Sequence, residues 1–177
     1  MTDAIEFDPV DSLSAGAFGR PGQRTFLIQA RKDGAVLSVL VEKEQVALLA
    51  AEVEQFLDRL EEEYPAQAGD LAEPAVAAPV EEAVPLFRAR MIGIGYDPDR
   101  RLVLLELRER PDVSTEEEEP LPEDDDLGSH VARLYATRGQ VRSMVVLGAE
   151  AVAGGRPRCP LCDFPMDPDG HICPRWN

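Results

Sequence analysis

The chain predicts an α+β fold, with antiparallel strands in two β-rich groups, each followed by one amphipathic helix, and a short cysteine-rich knuckle at the carboxy terminus. Three observations carry this reading. Apolar runs of strand length come in groups separated by turn residues. Each group leads into a stretch whose apolar residues recur at steps of three and four. All three cysteines fall between Cys159 and Cys173.

The first group is Arg24 to Ala30 ("RTFLIQA") and Ala35 to Val41 ("AVLSVLV"), and Asp33-Gly34 between them marks a two-residue hairpin. The helix that follows carries Val46, Leu49, Ala50, Val53, Phe56, Leu57 and Leu60 on one stripe, so that stripe is expected in the core. Its other face is acidic and solvated, and the helix ends before Tyr64-Pro65. The second group starts with "LFRARMIGIGYDPDRRLVLLELRE", two strands joined by the turn at Asp97-Pro98-Asp99, and continues with "HVARLYA" from His130. Its helix opens on a capping box, Thr137 with Gln140, places Val141, Met144, Val145, Gly148 and Val152 on one face, and ends at Gly154-Gly155. The two strand-to-helix junctions match at an offset of 95. Leu40, Gln45, Val46, Leu49 and Ala50 fall on Tyr135, Gln140, Val141, Met144 and Val145, which suggests a quasi-repeat.

Two stretches interrupt the pattern. Residues 65–84, rich in Ala and Pro without periodicity, read as a linker. Residues 111–127 hold nine acids and no base, and read as a disordered acidic loop, because such a block cannot collapse on itself. Its acids are consecutive and lack the alternation of a calcium loop. On this reading residues 1–155 form the α+β domain and 156–177 a tail.

The 177 residues carry a net charge of -16, which argues against nucleic acid or anionic membrane as a partner of the whole surface. With no signal-like start and no apolar run of membrane-spanning length, the expected location is the cytoplasm. In a reducing compartment clustered cysteines serve more often as metal ligands than as disulfides. Cys159 and Cys162 form C-x-x-C, His171 and Cys173 form H-x-C, and the turn residues Pro160, Pro165, Pro168, Asp169-Gly170 and Pro174 let the chain return to close a tetrahedron. Zinc accepts such a mixed thiolate and imidazole set, and four protein ligands leave no open position, so one structural Zn2+ in a zinc knuckle is expected. A redox role for the thiols is the competing reading.

Weaker candidates surround these. Arg20, Gly22 and Arg24, in the glycine-rich segment 14–24, could hold a phosphorylated small molecule through amides and guanidiniums. Arg156, Arg158, Arg175 and Trp176 could present a contact surface, with Trp176 packed over the knuckle. His130 stands without a nucleophile and reads as structural. With no acid/base pair, activated nucleophile or open metal position in view, the leading functional expectation is a non-enzymatic binding or adaptor protein whose partner is another protein. A binder of, or enzyme acting on, a phosphorylated small molecule through segment 14–24 is the alternative, and nucleic-acid contact through the basic tail comes third.

Taken together, "RTFLIQA", "VEKEQVALLA", "MIGIGYD", "RLYATRGQVRSM" and the ending "GRPRCPLCDFPMDPDGHICPR" resemble the actinobacterial family called domain of unknown function 3090. The resemblance spans nearly the whole chain outside the linker and the acid run. It implies a cytoplasmic actinobacterial protein without an established activity, and carries the metal pattern onto Cys159, Cys162, His171 and Cys173.

Overall fold

A computed structural model describes residues 3–71, 79–109, 130–167 and 170–176. The elements are β1 (Asp3–Phe7), β2 (Ser12–Phe18), β3 (Thr25–Lys32), β4 (Ala35–Val41), α1 (Lys43–Glu63), β5 (Phe87–Arg88), β6 (Met91–Asp97), β7 (Leu102–Arg108), β8 (His130–Ala136) and α2 (Arg138–Ala153). They build an α+β protein with two four-stranded sheets, ordered β1-β8-β7-β6 and β2-β3-β4-β5.

Local chemistry explains most of the strands and helices. Asp33 and Gly34 sit at φ 50 and 82, the left-handed pair that a two-residue hairpin requires, and join β3 to β4. Asp97 Oδ1 accepts from the amides of Asp99 and Arg100, both at 3.0 Å, and so shapes the β6-β7 turn. Thr137 caps α2, its Oγ1 accepting from the Gln140 amide at 3.1 Å.

The strand pairing departs from the all-antiparallel expectation. Both sheets are mixed, since β1 runs parallel to β8 and β5 parallel to β4. Behind this lies a repeat of four strands and a helix. β1 to α1 form one copy and β5 to α2 the other, and the first strand of each copy leaves its own sheet to complete the other copy's sheet.

The two halves agree bond by bond. Phe7 lies opposite Leu134, and Phe87 lies opposite Val39, which are 95 positions apart. The amide of Val10 donates to the Tyr135 carbonyl at 2.8 Å, and that of Ala89 to the Leu40 carbonyl at 2.9 Å. One residue later Asp11 donates to Arg31, and Arg90 to Arg108, both at 2.7 Å. The glutamine in the first turn of each helix then clamps the exchanged strand's exit. Gln140 Nε2 donates to the carbonyls of Val10 (3.1 Å) and Asp11 (3.3 Å), and Gln45 Nε2 to those of Ala89 (3.3 Å) and Arg90 (3.5 Å).

One continuous apolar core joins both sheets and both helices, with Val53, Val103, Leu105, Leu134, Val141 and Met144 fully buried within it. The α1 stripe lies in this core, and α1 packs mainly on α2, which in turn lies on β2. Gly148 permits that approach. A Cβ there would meet Val46 Cγ1 at 2.9 Å and the Ala15 Cβ at 3.3 Å.

The stretch expected as a linker is bound to the fold on both described flanks. Glu81 and Gln29 exchange two hydrogen bonds, 2.7 and 2.8 Å, and Leu86 donates to Ser38 at 2.8 Å, so residues 79–86 cover a face of the β2-β3-β4-β5 sheet. Residues 64–70 cover the start of α2. There Arg138, only 2% exposed, donates to Glu61 Oε2 (3.1 Å), the Tyr64 carbonyl (2.6 Å) and the Tyr96 hydroxyl (3.2 Å). Beside it Asp70 takes two hydrogen bonds from Arg101, one at 3.1 Å to Oδ1 and a shorter one to Oδ2. The acid run and residues 72–78 lie outside the described residues.

Two predictions follow from these polar anchors. Removing the buried amide of Gln140 with alanine strands two carbonyls and should cost about 1 to 3 kcal/mol in a denaturant titration, whereas Gln45→Ala, half-exposed, should cost less than ~1 kcal/mol. The Arg101 hydrogen bonds hold the Asp70 carboxyl below its usual range. Its stabilising effect is therefore complete above the unfolded value of ~3.9 and fades as pH falls through the lower folded value. Asp70→Asn should lose about 1 to 3 kcal/mol at neutral pH, and the gap to the unaltered protein should close on acidification.

Candidate metal centre

Past α2 the chain enters two tight turns. In the first, the Asp163 amide donates to the Cys159 carbonyl and the Cys159 amide to the Phe164 carbonyl, each at 2.9 Å, with Asp163 at φ 61. Met166 closes the turn onto Pro157 at 2.8 Å. In the second, Gly170 at φ 93 donates to Asp167 at 2.8 Å and turns the chain back toward the first.

These turns bring one ligand atom each from Cys159, Cys162, His171 and Cys173 within 4.8 Å of one another. Cys159 and Cys173 sulfurs stand 3.9 Å apart, and Cys162 Sγ lies 3.2 Å from His171 Nε2. A tetrahedral ion with metal-sulfur bonds of ~2.3 Å sets sulfur-sulfur separations of about 3.8 Å, so the spacing suits one such ion. The Leu161 amide points at Cys159 Sγ from 3.4 Å and, with that of Cys162, holds the Cys159 thiol below its ordinary range. Loss of solvation pushes the Cys162 thiol up. Three soft sulfurs and an imidazole form a donor set for zinc or another thiophilic metal.

The other candidates are scattered. Trp176 does not pack over the knuckle. It is 81% exposed, and its amide donates to the Cys173 carbonyl at 3.1 Å. Arg156 pairs with Asp167 at 2.8 Å and Arg158 with Asp163 at 3.0 Å, while Arg175 is exposed. The glycine-rich segment is not one loop. Ser14 to Phe18 belong to β2, and only residues 19–24 form the turn, in which Arg20 is exposed.

Gly22 and Arg24, however, join Lys43, Arg88 and Arg156 around a cleft of about 490 Å³. Lys43 and Arg88 were not singled out by the sequence, because only the fold brings them beside segment 19–24. His130 is tied to Glu109 at 2.8 Å and stacks on Phe87 at 5.6 Å, a structural position.

Among the described residues, no helix is long and apolar enough to cross a membrane. No curated protein and no solved structure matches the chain. The model of a family described as a protein of unknown function (DUF3090) matches residues 5–173, from β1 through the last cysteine of the cluster. The chain, repeat and cysteine tail together, belongs to that family.

Proposed function

We propose that Cys159, Cys162, His171 and Cys173 hold one structural zinc ion, and that the protein is a non-enzymatic binding protein whose zinc-built tail, residues 156–177, is a contact surface. The observation that carries the metal reading is the convergence of four ligand atoms within 4.8 Å. Four protein ligands complete a tetrahedron and leave no position for a reacting water. So short a tail has little core of its own, and metal binding supplies its folding free energy.

The surface role draws support from what the turns display. Leu161 (50%), Phe164 (58%), Ile172 (98%) and Trp176 (81%) are all exposed on a stretch in which Cys159 and Cys173 are buried. Apolar and aromatic side chains held rigidly at a surface suit a protein partner. With Arg156 and Arg158 engaged by aspartates, the tail is a poorer match to phosphate backbone.

Elemental analysis of protein purified without added metal should give one zinc per chain, absent from Cys162→Ser. Trypsin should cut after Arg158 only once a chelator is added, while the melting of the remaining chain stays in place. Absence of zinc together with three readily titrating thiols would overturn the structural assignment. For the surface, Ile172→Asp with Trp176→Ala should keep the zinc and lose whatever protein the unaltered chain captures. Unchanged capture would remove the tail from the interface.

A further inference from the structure

The two copies of the repeat differ in charge pairing at a matched place, the start of the helix. Lys43 opens α1 where Arg138 opens α2, 95 positions on, and Arg24 precedes β3 where Arg101 precedes β7. Both copies therefore gather two cations at this corner. In the second copy, the segment after α1 delivers acids to them: Asp70 to Arg101, and Glu61 to Arg138.

In the first copy the segment after α2 is Gly154-Gly155-Arg156, which brings no acid to Arg24 or Lys43 and adds a third cation, itself paired with Asp167 at 2.8 Å. The charged tips lie against glycines. A Cβ built at Gly155 would stand 3.5 Å from Lys43 Nζ, one at Gly154 3.4 Å from Arg24 Nη2, and one at Gly22 3.4 Å from Arg156 Nε. Arg24 Nη1 is spent on the Ala151 carbonyl at 2.7 Å, and its buried Nε has no partner among the described residues. No described acid pairs with Lys43. Arg88 also faces the cleft, paired with Glu42, and Glu44 is the second acid on the lining. The lining carries four cations and two acids, and with Asp167 paired to Arg156 the corner still keeps a positive balance in a chain of charge -16.

We propose that this cleft, at Gly22, Arg24, Lys43, Gly155 and Arg156, binds the phosphate group of a small molecule, the ligand's oxygens taking the place that the Asp70 carboxylate fills in the other copy. Guanidinium forks and an ammonium converging from three elements suit the several oxygens of a phosphate dianion better than the two of a carboxylate. A cleft of about 490 Å³ leaves room for the rest of a metabolite-sized molecule against Val41 and Pro85.

The test is thermal melting of the full chain in inorganic phosphate against sodium chloride at matched ionic strength. About 10 mM phosphate should raise the melting temperature by roughly 2 to 5 °C for a dissociation constant near ~1 mM. Lys43→Gln, which breaks no hydrogen bond or ion pair among the described residues, should bind phosphate about tenfold more weakly. Gly155→Asp, at a position of ordinary backbone angles, should place a carboxylate beside Lys43 and abolish the response while the protein stays folded. No shift in the unaltered chain, or the same shift in Lys43→Gln, would overturn the site. A full response in folded Gly155→Asp would overturn its location.

Discussion

Everything in this fold depends on the exchange of two short strands. β1 and β5 each pair in parallel with the strand that leads into the other copy's helix, and the chain then crosses to begin its own three-stranded meander. Neither sheet has its fourth strand without the opposite half. The apolar core is continuous for the same reason, since the residues that close one sheet are covalently the start of the other.

The exchange also fixes polar chemistry that would otherwise look incidental. A chain leaving an edge strand to change sheets carries carbonyls that no ladder can satisfy. Gln45 and Gln140, one turn into each helix, supply donors to those carbonyls, and so couple helix starts to strand exits. At the helix starts the halves diverge in their electrostatics. One corner is neutralised internally by Asp70 and Glu61, and its counterpart keeps its cations on a bed of glycines.

The sequence made local structure readable and left distant pairing hidden. The β3-β4 hairpin, the stripe of α1, the Thr137-Gln140 cap and the clustering of the cysteines all follow from residues close together in the chain. The offset of 95 that sets Leu40 on Tyr135 and Gln45 on Gln140 was visible too, although its meaning as strand exchange was not. β2 escaped notice because "SLSAGAF" has no β-branched residue. Its small side chains are wanted because Gly148 of α2 presses on Ala15 from one face and Val80 on Gly16 from the other. The parallel partners escaped because β1 and β5 are too short to signal, and Ala/Pro composition concealed the way residues 79–86 bind the sheet. In the tail, spacing identified the ligand set, but the exposure of Trp176 depends on a turn geometry that spacing does not encode.

The strand exchange has a further meaning for how such a chain can be divided. A cut between Leu71 and Pro79 would separate the two copies and leave each with three paired strands, one unpaired strand and a bare backbone edge beside its last strand. The fragments would then recognise each other through main-chain hydrogen bonds, which read geometry and ignore most of the side-chain sequence. In that sense the molecule is a strand-swapped dimer held within one polypeptide, and its internal interface is as general as the β-ladder itself.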